Sequence, residues 1–328
     1  MYKINTCPSC NHKATDLKPA FVSLFIKSYV LRETTGLPNY SSFMECPKCD
    51  LNFFGQRYHE EEMSKLYSEY RSDNYFSARN CAEPWYTKKI NDSIGQDPIE
   101  VMARKDVFLN FLNSNIPSSR LKSLAKILDY GGDRGQFIPD SIGESKYVFE
   151  VSNAPTVNGV TRLCSQEDLA THSFDLVMLC NVLEHLPNPI SFLRNLKDQI
   201  KFKPHSYLYL EVPLERFSVK LVGNGKWYEK YLNFLSKNQA LAKIIDFYST
   251  AFRLKFGVVP PFGYIKQSEH INFFTEKSLS ALVTESLGKS LIKTKINALN
   301  SKSGQSLILS CLVEFQEDVE ELNHNAES

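Results

Sequence analysis

The segment Lys126-Ile127-Leu128-Asp129-Tyr130-Gly131-Gly132-Asp133-Arg134-Gly135 constrains the fold of this chain more than any other. A short apolar run carrying one carboxylate leads straight into a turn rich in glycine. Without a Cβ, glycine lets the backbone double back tightly and bring N–H groups close to a ligand. The run Lys126–Tyr130 therefore reads as a buried strand, the glycines as a ligand-binding turn, and Gln136-Phe137-Ile138 as the start of a helix. Residues 147–151, 174–180 and 206–212 are further apolar runs of strand length, and 187–200 is an amphipathic helix between the last two. Strands separated by helices mean βαβ units and a mainly parallel sheet. The expected fold class is α/β, a Rossmann-like three-layer sandwich. A helix over 275–287 and a strand pair over 291–296 and 306–315 close it.

The N-terminal part has a different signal. Cys7-Pro-Ser-Cys10 and Cys46-Pro-Lys-Cys49 each aim two thiolates at one point, and two such turns make the tetrahedral sulfur set that Zn2+ prefers. Four sulfurs close the coordination sphere, so this zinc is expected to be structural, with His12 left at the surface. A redox reading would need one such pair beside a βαβ pattern. Cys81, Cys164, Cys180 and Cys311 stand alone in mostly apolar surroundings and are expected as small core residues of a protein in a reducing compartment. The domains expected are a zinc ribbon over 1–57, a helical lid or linker over 58–118, the main domain over 119–316 with a helical insert over 214–266, and a polar tail over 317–328.

The glycine turn has two companions. Glu150 follows the glycines by about 15 residues, at a strand end, where a carboxylate takes both hydroxyls of a ribose. Downstream come Cys164-Ser165-Gln166-Glu167-Asp168-Leu169 and a strand ending at Cys180-Asn181. With ILDYGGDRG, FEV, SQEDL, SFDLVMLCNVLEHL and EHINFFTEKSL in order from 126 to 287, the chain resembles the class I S-adenosylmethionine-dependent methyltransferases. The preceding cysteine module further resembles the bacterial sugar methyltransferases of deoxysugar and surface-glycan pathways.

The resemblance implies that Asp129, Gly131, Gly132 and Gly135 shape the pocket around the methionine part of S-adenosylmethionine. It implies that Glu150 holds the ribose, that Ser165, Gln166 and Glu167 border the adenine, and that Cys180 and Asn181 lie beside the sulfonium. Asp133 stands where the family has its middle glycine, and its side chain would either crowd the carboxypropyl tail or bind the amino group. Methyl transfer is a direct displacement that mainly needs alignment, and a hydroxyl acceptor also needs a base. His185, in Glu184-His185, and His270, in Glu269-His270, are the candidates, since histidine titrates near neutral pH. Each has a bland alternative, packing under the cofactor loop or fixing a loop. Tyr67, Tyr70 and Tyr75, with Arg71 and Arg79, would form a lid or simply bury a helix face.

The 38 Lys+Arg and 37 Asp+Glu balance, so no global charge points to nucleic acid. Between 217 and 266, however, Lys220, Lys226, Lys230, Lys237, Lys243, Arg253, Lys255 and Lys266 mingle with Trp227, Tyr228, Tyr231, Phe234, Phe247, Tyr248, Phe252 and Phe256. A basic aromatic insert suits an anionic small-molecule or glycan acceptor with a ring, such as a nucleotide-sugar. It equally suits an amphipathic cap with solvated lysines, or contact with a membrane surface. No leader and no membrane-spanning run of apolar residues is visible, so a cytoplasmic location is expected. The competing functions are an RNA methyltransferase, including a metal-assisted one that would need a carboxylate where Asn181 stands, and a non-catalytic scaffold with a degenerate cofactor site.

Overall fold

The computed structural model describes residues 1–31, 40–150, 152, 154–200, 202–288, 291–301 and 304–316; the expected polar tail over 317–328 lies outside the described residues. Five strands, with a π-helical turn (Ile26–Val30) after the second, come first: β1 (Tyr2–Lys3), β2 (Thr15–Val22), β3 (Tyr40–Glu45), β4 (Asn52–Phe54) and β5 (Gln56–Arg57). Helices α1 (Glu60–Ser68), α2 (Asp73–Ala82), α3 (Lys88–Ser93), α4 (Pro98–Asn115) and α5 (Ser118–Lys122) follow. Their starts are set by local chemistry. Ser72 and Thr87 accept from Tyr75 and Ile90 N–H groups, and Asp97 accepts from Ile99 with Pro98 at the first turn.

The α/β alternation then begins: β6 (Lys126–Tyr130), β7 (Ser145–Phe149), β8 (Val160–Leu163), α6 (Gln166–Ala170), β9 (Leu176–Cys180), α7 (Pro189–Ile200) and β10 (Tyr207–Pro213). The insert contributes α8 (Gly225–Lys237) and α9 (Gln239–Phe256), followed by β11 (Lys266–Gln267), β12 (Asn272–Phe273), α10 (Glu276–Leu287), β13 (Leu291–Ser301) and β14 (Gly304–Glu314). The large sheet has the order β13-β14-β10-β9-β6-β7-β8; β14 is antiparallel to both its neighbours, β13 and β10, while β10, β9, β6, β7 and β8 pair in parallel.

Both faces of this sheet are covered. Leu128, Val177 and Leu179 pack with α7 and α10, while Ile127, Leu176 and Met178 pack with Phe108, Phe111 and Leu112 of α4. That burial on two sides is why β6 and β9 are continuous apolar runs, and the α/β sandwich expected from the sequence is the observed fold. The chain leaves β6 towards β7 and β8, then returns to the other side for β9. The carboxyl ends of β6 and β9 thus flank a topological switch point, where α/β sheets bind ligands.

Three local expectations are corrected. The strand expected over 147–151 ends at Phe149, so Glu150 lies just beyond it. No helix starts at Gln136-Phe137-Ile138; the segment is a series of turns. Pro139 supplies the reason, because it lacks an N–H and biases Ile138 away from helical backbone. Cys180 and Cys311 are buried as expected, but Cys81 and Cys164 are exposed.

The second sheet, β11-β2-β3-β4-β12, takes three strands from the N-terminal segment and two from the stretch between α9 and α10. β12 runs antiparallel to β4, and β11 parallel to β2. Arg57, fully buried, donates to the carbonyls of Phe54, Leu186, Pro187 and Ile271 and to Asn272 Oδ1. One side chain thereby ties the N-terminal sheet to the loop after β9 and to the segment carrying Glu269-His270.

Candidate active site

A cavity of about 780 Å³ opens at the carboxyl ends of β6, β7, β9 and β10. Its floor is the turn after β6. Gly131 has φ +73°, and a Cβ there would meet Val182 at 2.8 Å; a Cβ on Gly132 would overlap the Asp129 carboxyl. Both positions therefore need glycine, one for backbone and one for room. Asp133 takes φ 54°, a left-handed conformation that aspartate tolerates better than most residues. Its carboxylate pairs with Arg71 at 3.1 Å, and its N–H donates to Glu150 Oε2 at 3.1 Å. The structure thus gives Asp133 a partner in the loop between α1 and α2, and Tyr67, Tyr70 and Arg71 from that side line the cavity.

Glu150 accepts from Asp133 and Ser152 N–H groups, which fixes its carboxylate at the cavity wall with lone pairs to spare. Asp129 is fully buried beneath Gly132, and neither of its oxygens has a hydrogen-bond partner among the described residues. Burial, followed by the charge of Glu150, pushes its carboxyl up to about 8. Asn181 directly follows β9, at φ 56°. With its amide oxygen turned to Arg104, it accepts from both terminal nitrogens of that guanidinium at 3.2 and 2.9 Å. Arg104, from α4, also pairs with the buried Glu211 and with Glu100.

At the far end stand Glu184, His185, Glu269 and His270. His185 Nδ1 lies 2.8 Å from the Tyr67 hydroxyl and 3.2 Å from the Glu269 carbonyl oxygen, leaving Nε2 towards Glu184 at 3.7 Å. Burial, then the neighbouring His270, pushes its imidazole down to about 3, so it is neutral. Its ring meets that of His270 edge-on at 4.7 Å between centroids. His270 Nδ1 is hydrogen-bonded to Glu215 Oε1. Burial disfavours the imidazolium, but the Glu215 charge and hydrogen bond outweigh it and raise His270 to about 9. Glu215 is held down at about 2, against its own burial, by His270. The Glu184 carboxyl is buried, without a hydrogen bond among the described residues, and pushed up to about 7 by that burial.

A smaller cavity of about 230 Å³ adjoins, bounded by Trp85, Phe217, Arg253, Lys266 and Tyr264. Arg79, Glu269 and His270 line both cavities.

Of the residues singled out from sequence, Gly131, Gly132, Asp133, Glu150, Cys180, Asn181, His185 and His270 line the larger cavity. Asp129 lies beneath its floor, and Gly135 packs against Val160. Ser165, Gln166 and Glu167 are not brought to the cavity. They start α6, where Ser165 and Asp168 form a capping box and Gln166 faces Gln199. Sequence reasoning passed over Arg104, Glu211 and Glu215, whose partners are far away in the chain and leave no local signature.

The four expected zinc ligands do converge. Cys7, Cys10, Cys46 and Cys49 are buried, and their sulfurs all lie within 4.8 Å of one another. The pairs Cys7–Cys49 and Cys10–Cys46 are 3.5 Å apart, far beyond a disulfide and close to the edge of about 3.8 Å that a tetrahedron of zinc–sulfur bonds requires. Both turns share one geometry: Asn11 N–H donates to the Cys7 carbonyl and Asp50 N–H to the Cys46 carbonyl, each from a left-handed residue.

A sequence profile described as a methyltransferase domain matches residues 104–286, more than half of the chain. The chain belongs to this family. It is a methyltransferase of the class I, S-adenosylmethionine-dependent type, as the ordered motifs implied. No curated protein matches the chain. Among solved structures it is similar to an O-methyltransferase family protein from Burkholderia thailandensis, at 11% identity and TM-score 0.33, covering 76% of this chain and 62% of that one. It is similar to the 1,6-didemethyltoxoflavin-N1-methyltransferase of the same organism, with 1,6-didemethyltoxoflavin and S-adenosylhomocysteine bound, at 12% identity and TM-score 0.43, covering 84% and 96%. It is also similar to human N-acetylserotonin methyltransferase, at 11% identity and TM-score 0.34, covering 78% of this chain and 59% of that one.

Proposed function

We propose that this methyltransferase acts on a hydroxyl group of a small polyhydroxylated acceptor (a sugar, nucleotide-sugar or glycan precursor) with His270 as the base. The observation that carries the reading is the position of His270, where the two cavities meet. Residues of the larger cavity and beneath its floor fit the donor: Glu150 for the ribose hydroxyls, the buried Asp129 under the glycines for the ammonium, and Gly131 and Gly132 for close approach. Bound there, S-adenosylmethionine supplies a methyl carbon made electrophilic by its sulfonium. His270 then removes the acceptor proton, and Glu215 holds its ring through Nδ1 and stabilises the imidazolium.

The smaller cavity suits a ring with several hydroxyls. Trp85 and Phe217 offer flat apolar surfaces, while its cations are already paired: Arg79 with Glu269 at 2.8 Å, Lys266 with Glu83 at 2.6 Å and Arg253 with Glu215 at 3.2 Å. Lys220, Lys226, Lys230, Lys237 and Lys255 of the insert are exposed, so they lend this pocket no positive charge that would call for an anionic acceptor. The Cys7, Cys10, Cys46 and Cys49 cluster would hold a structural Zn2+ away from the chemistry.

Calorimetric titration with S-adenosylhomocysteine tests the donor site. Glu150→Ala is expected to weaken binding by roughly 10- to 100-fold, the range for losing hydrogen bonds to a charged group; unchanged affinity would remove the assignment. A pH–rate profile tests the base. Because the active form is neutral, kcat/KM should fall about tenfold per unit below pH 9 and level off above it. Glu215→Gln should move the inflection towards about 6.5, the ordinary value for histidine. A flat profile would discard His270 as the base. Activity abolished by a chelator that leaves the buried tetrathiolate loaded would assign Glu184, His185 and His270, whose ligand atoms lie within 4.8 Å of one another, to a divalent cation instead.

A further inference from the structure

The helical insert carries large apolar side chains on its outer face as well as on its inner one. On α9 the buried residues are Ala242, Asp246 and Ser249, whereas Ile244, Phe247 and Leu254 point outward with 64, 58 and 75% of their surface exposed. A surface helix of a water-soluble domain places these the other way round. α8 buries Tyr228, Leu232 and Leu235 conventionally, yet Trp227 and Phe234 are 57 and 54% exposed beside that stripe. Together they make a contiguous stretch of chain whose outer face carries large apolar and aromatic side chains, a feature that marks an interaction site.

The surrounding charge says what covers this face. From 215 to 262, the exposed charged residues are Arg216, Lys220, Lys226, Lys230, Lys237 and Lys255; Glu215 and Glu229 are only partly exposed and Asp246 is buried. Each of those acids is engaged: Glu215 by His270 and Arg253, Glu229 by the Tyr40 hydroxyl, Asp246 by Lys266. A symmetric contact between two copies would set one set of lysines against another. An anionic lipid surface instead receives the aromatics at its headgroup boundary and the lysines at its phosphates. No helix among the described residues is long and apolar enough to cross a membrane, so the contact is one of lying on the surface.

We propose that α8 and α9 dock this methyltransferase on the surface of an anionic membrane. The face is distinct from both cavities: Trp227, Phe234, Ile244, Phe247 and Leu254 line neither. Ser249, Thr250 and Arg253 of the same α9 line the smaller cavity, so docking places that pocket near lipid without using its residues, and it stands whether or not the acceptor is a sugar.

Co-sedimentation of the full chain with vesicles tests it, using phosphatidylcholine alone and phosphatidylcholine mixed with phosphatidylglycerol. The protein should pellet with the mixed vesicles at low salt, and raising the salt should release it. Two variants separate the contributions: Phe247→Glu with Leu254→Glu, and Lys226→Gln with Lys230→Gln and Lys237→Gln. Each is expected to cut vesicle partition by about tenfold or more, with S-adenosylhomocysteine binding unchanged as evidence of an intact fold. No partition of the unaltered protein, or partition that both variants retain, overturns the proposal. A dimer that ignores vesicles and dissociates in the Phe247→Glu, Leu254→Glu variant would make the face a contact between copies.

Discussion

Exchanging Cys46 for serine is expected to strip the protein of one bound Zn2+ and to unfold its N-terminal sheet. Cys46 is fully buried, and all four cysteines belong to the same core as Leu128, Val177 and Leu179 of the large sheet. The turns of the two knuckles are closed by backbone hydrogen bonds, and a bound metal would tie one knuckle to the other. Ligation of a structural zinc contributes on the order of 10 kcal/mol in small modules, as much as the whole stability of an ordinary domain.

The loss should spread beyond the knuckles. Ser9 Oγ donates to the Ser278 carbonyl, Thr275 Oγ1 to that of Cys49, and Lys277 pairs with Asp50, all at the start of α10. β11 and β12 of the same sheet flank Glu269 and His270. Cys46→Ser should therefore lower Tm by more than about 10 °C and abolish S-adenosylhomocysteine binding, while metal analysis of the unaltered protein finds one zinc per chain. A metal-free protein melting at an unchanged temperature would show that the cluster is held by packing alone.

What could be read from the sequence follows from where the information lies. β6 and β9 were legible because strands covered on both faces must be apolar throughout. β8 was not: Val160-Thr161-Arg162-Leu163 sits at the sheet edge with only Leu163 buried, so no apolar run announces it. The helix expected at Gln136 failed on Pro139, a breaker in plain view. Ser165, Gln166 and Glu167 follow β8 in the expected order, but their side chains start a helix, and order along a chain does not fix which way a side chain points.

The pairs that organise the site were invisible for another reason. Arg104 reaches Glu211, Arg71 reaches Asp133, and Glu215 reaches His270 across 55 to 107 residues of chain. Such contacts have no period and no spacing. Asp133 shows the effect at one residue. As a substitute for glycine it suggested crowding or a ligand for the amino group, and only the fold reveals Arg71 as its partner.

Asp129→Asn is expected to make the ligand-free protein more stable at pH 8 and a far poorer binder of S-adenosylhomocysteine. An unpaired carboxylate beneath Gly132 is unfavourable in the empty site, and its raised value of about 8 expresses this. The sign follows from proton counting. Between pH 4 and pH 8 the unfolded chain has an ionised Asp129 while the folded protein keeps it protonated, so stability falls as pH rises through that window. Over about four units this amounts to on the order of 5 kcal/mol, which the amide does not incur. The variant should thus melt well above the unaltered protein at pH 8 and close to it at pH 4.

Binding should show the converse. An ammonium arriving above Asp129 favours the ionised carboxylate, so affinity for S-adenosylhomocysteine should rise from pH 6 to pH 8 in the unaltered protein. In the variant it should be flat and lower by about 100-fold, the usual consequence of leaving a buried charge without its partner. Thermal melts and calorimetry on the same two proteins at both pH values decide the matter. A variant that is stabilised yet binds normally would mean that the carboxylate faces only the glycine turn, and that the ammonium is held elsewhere.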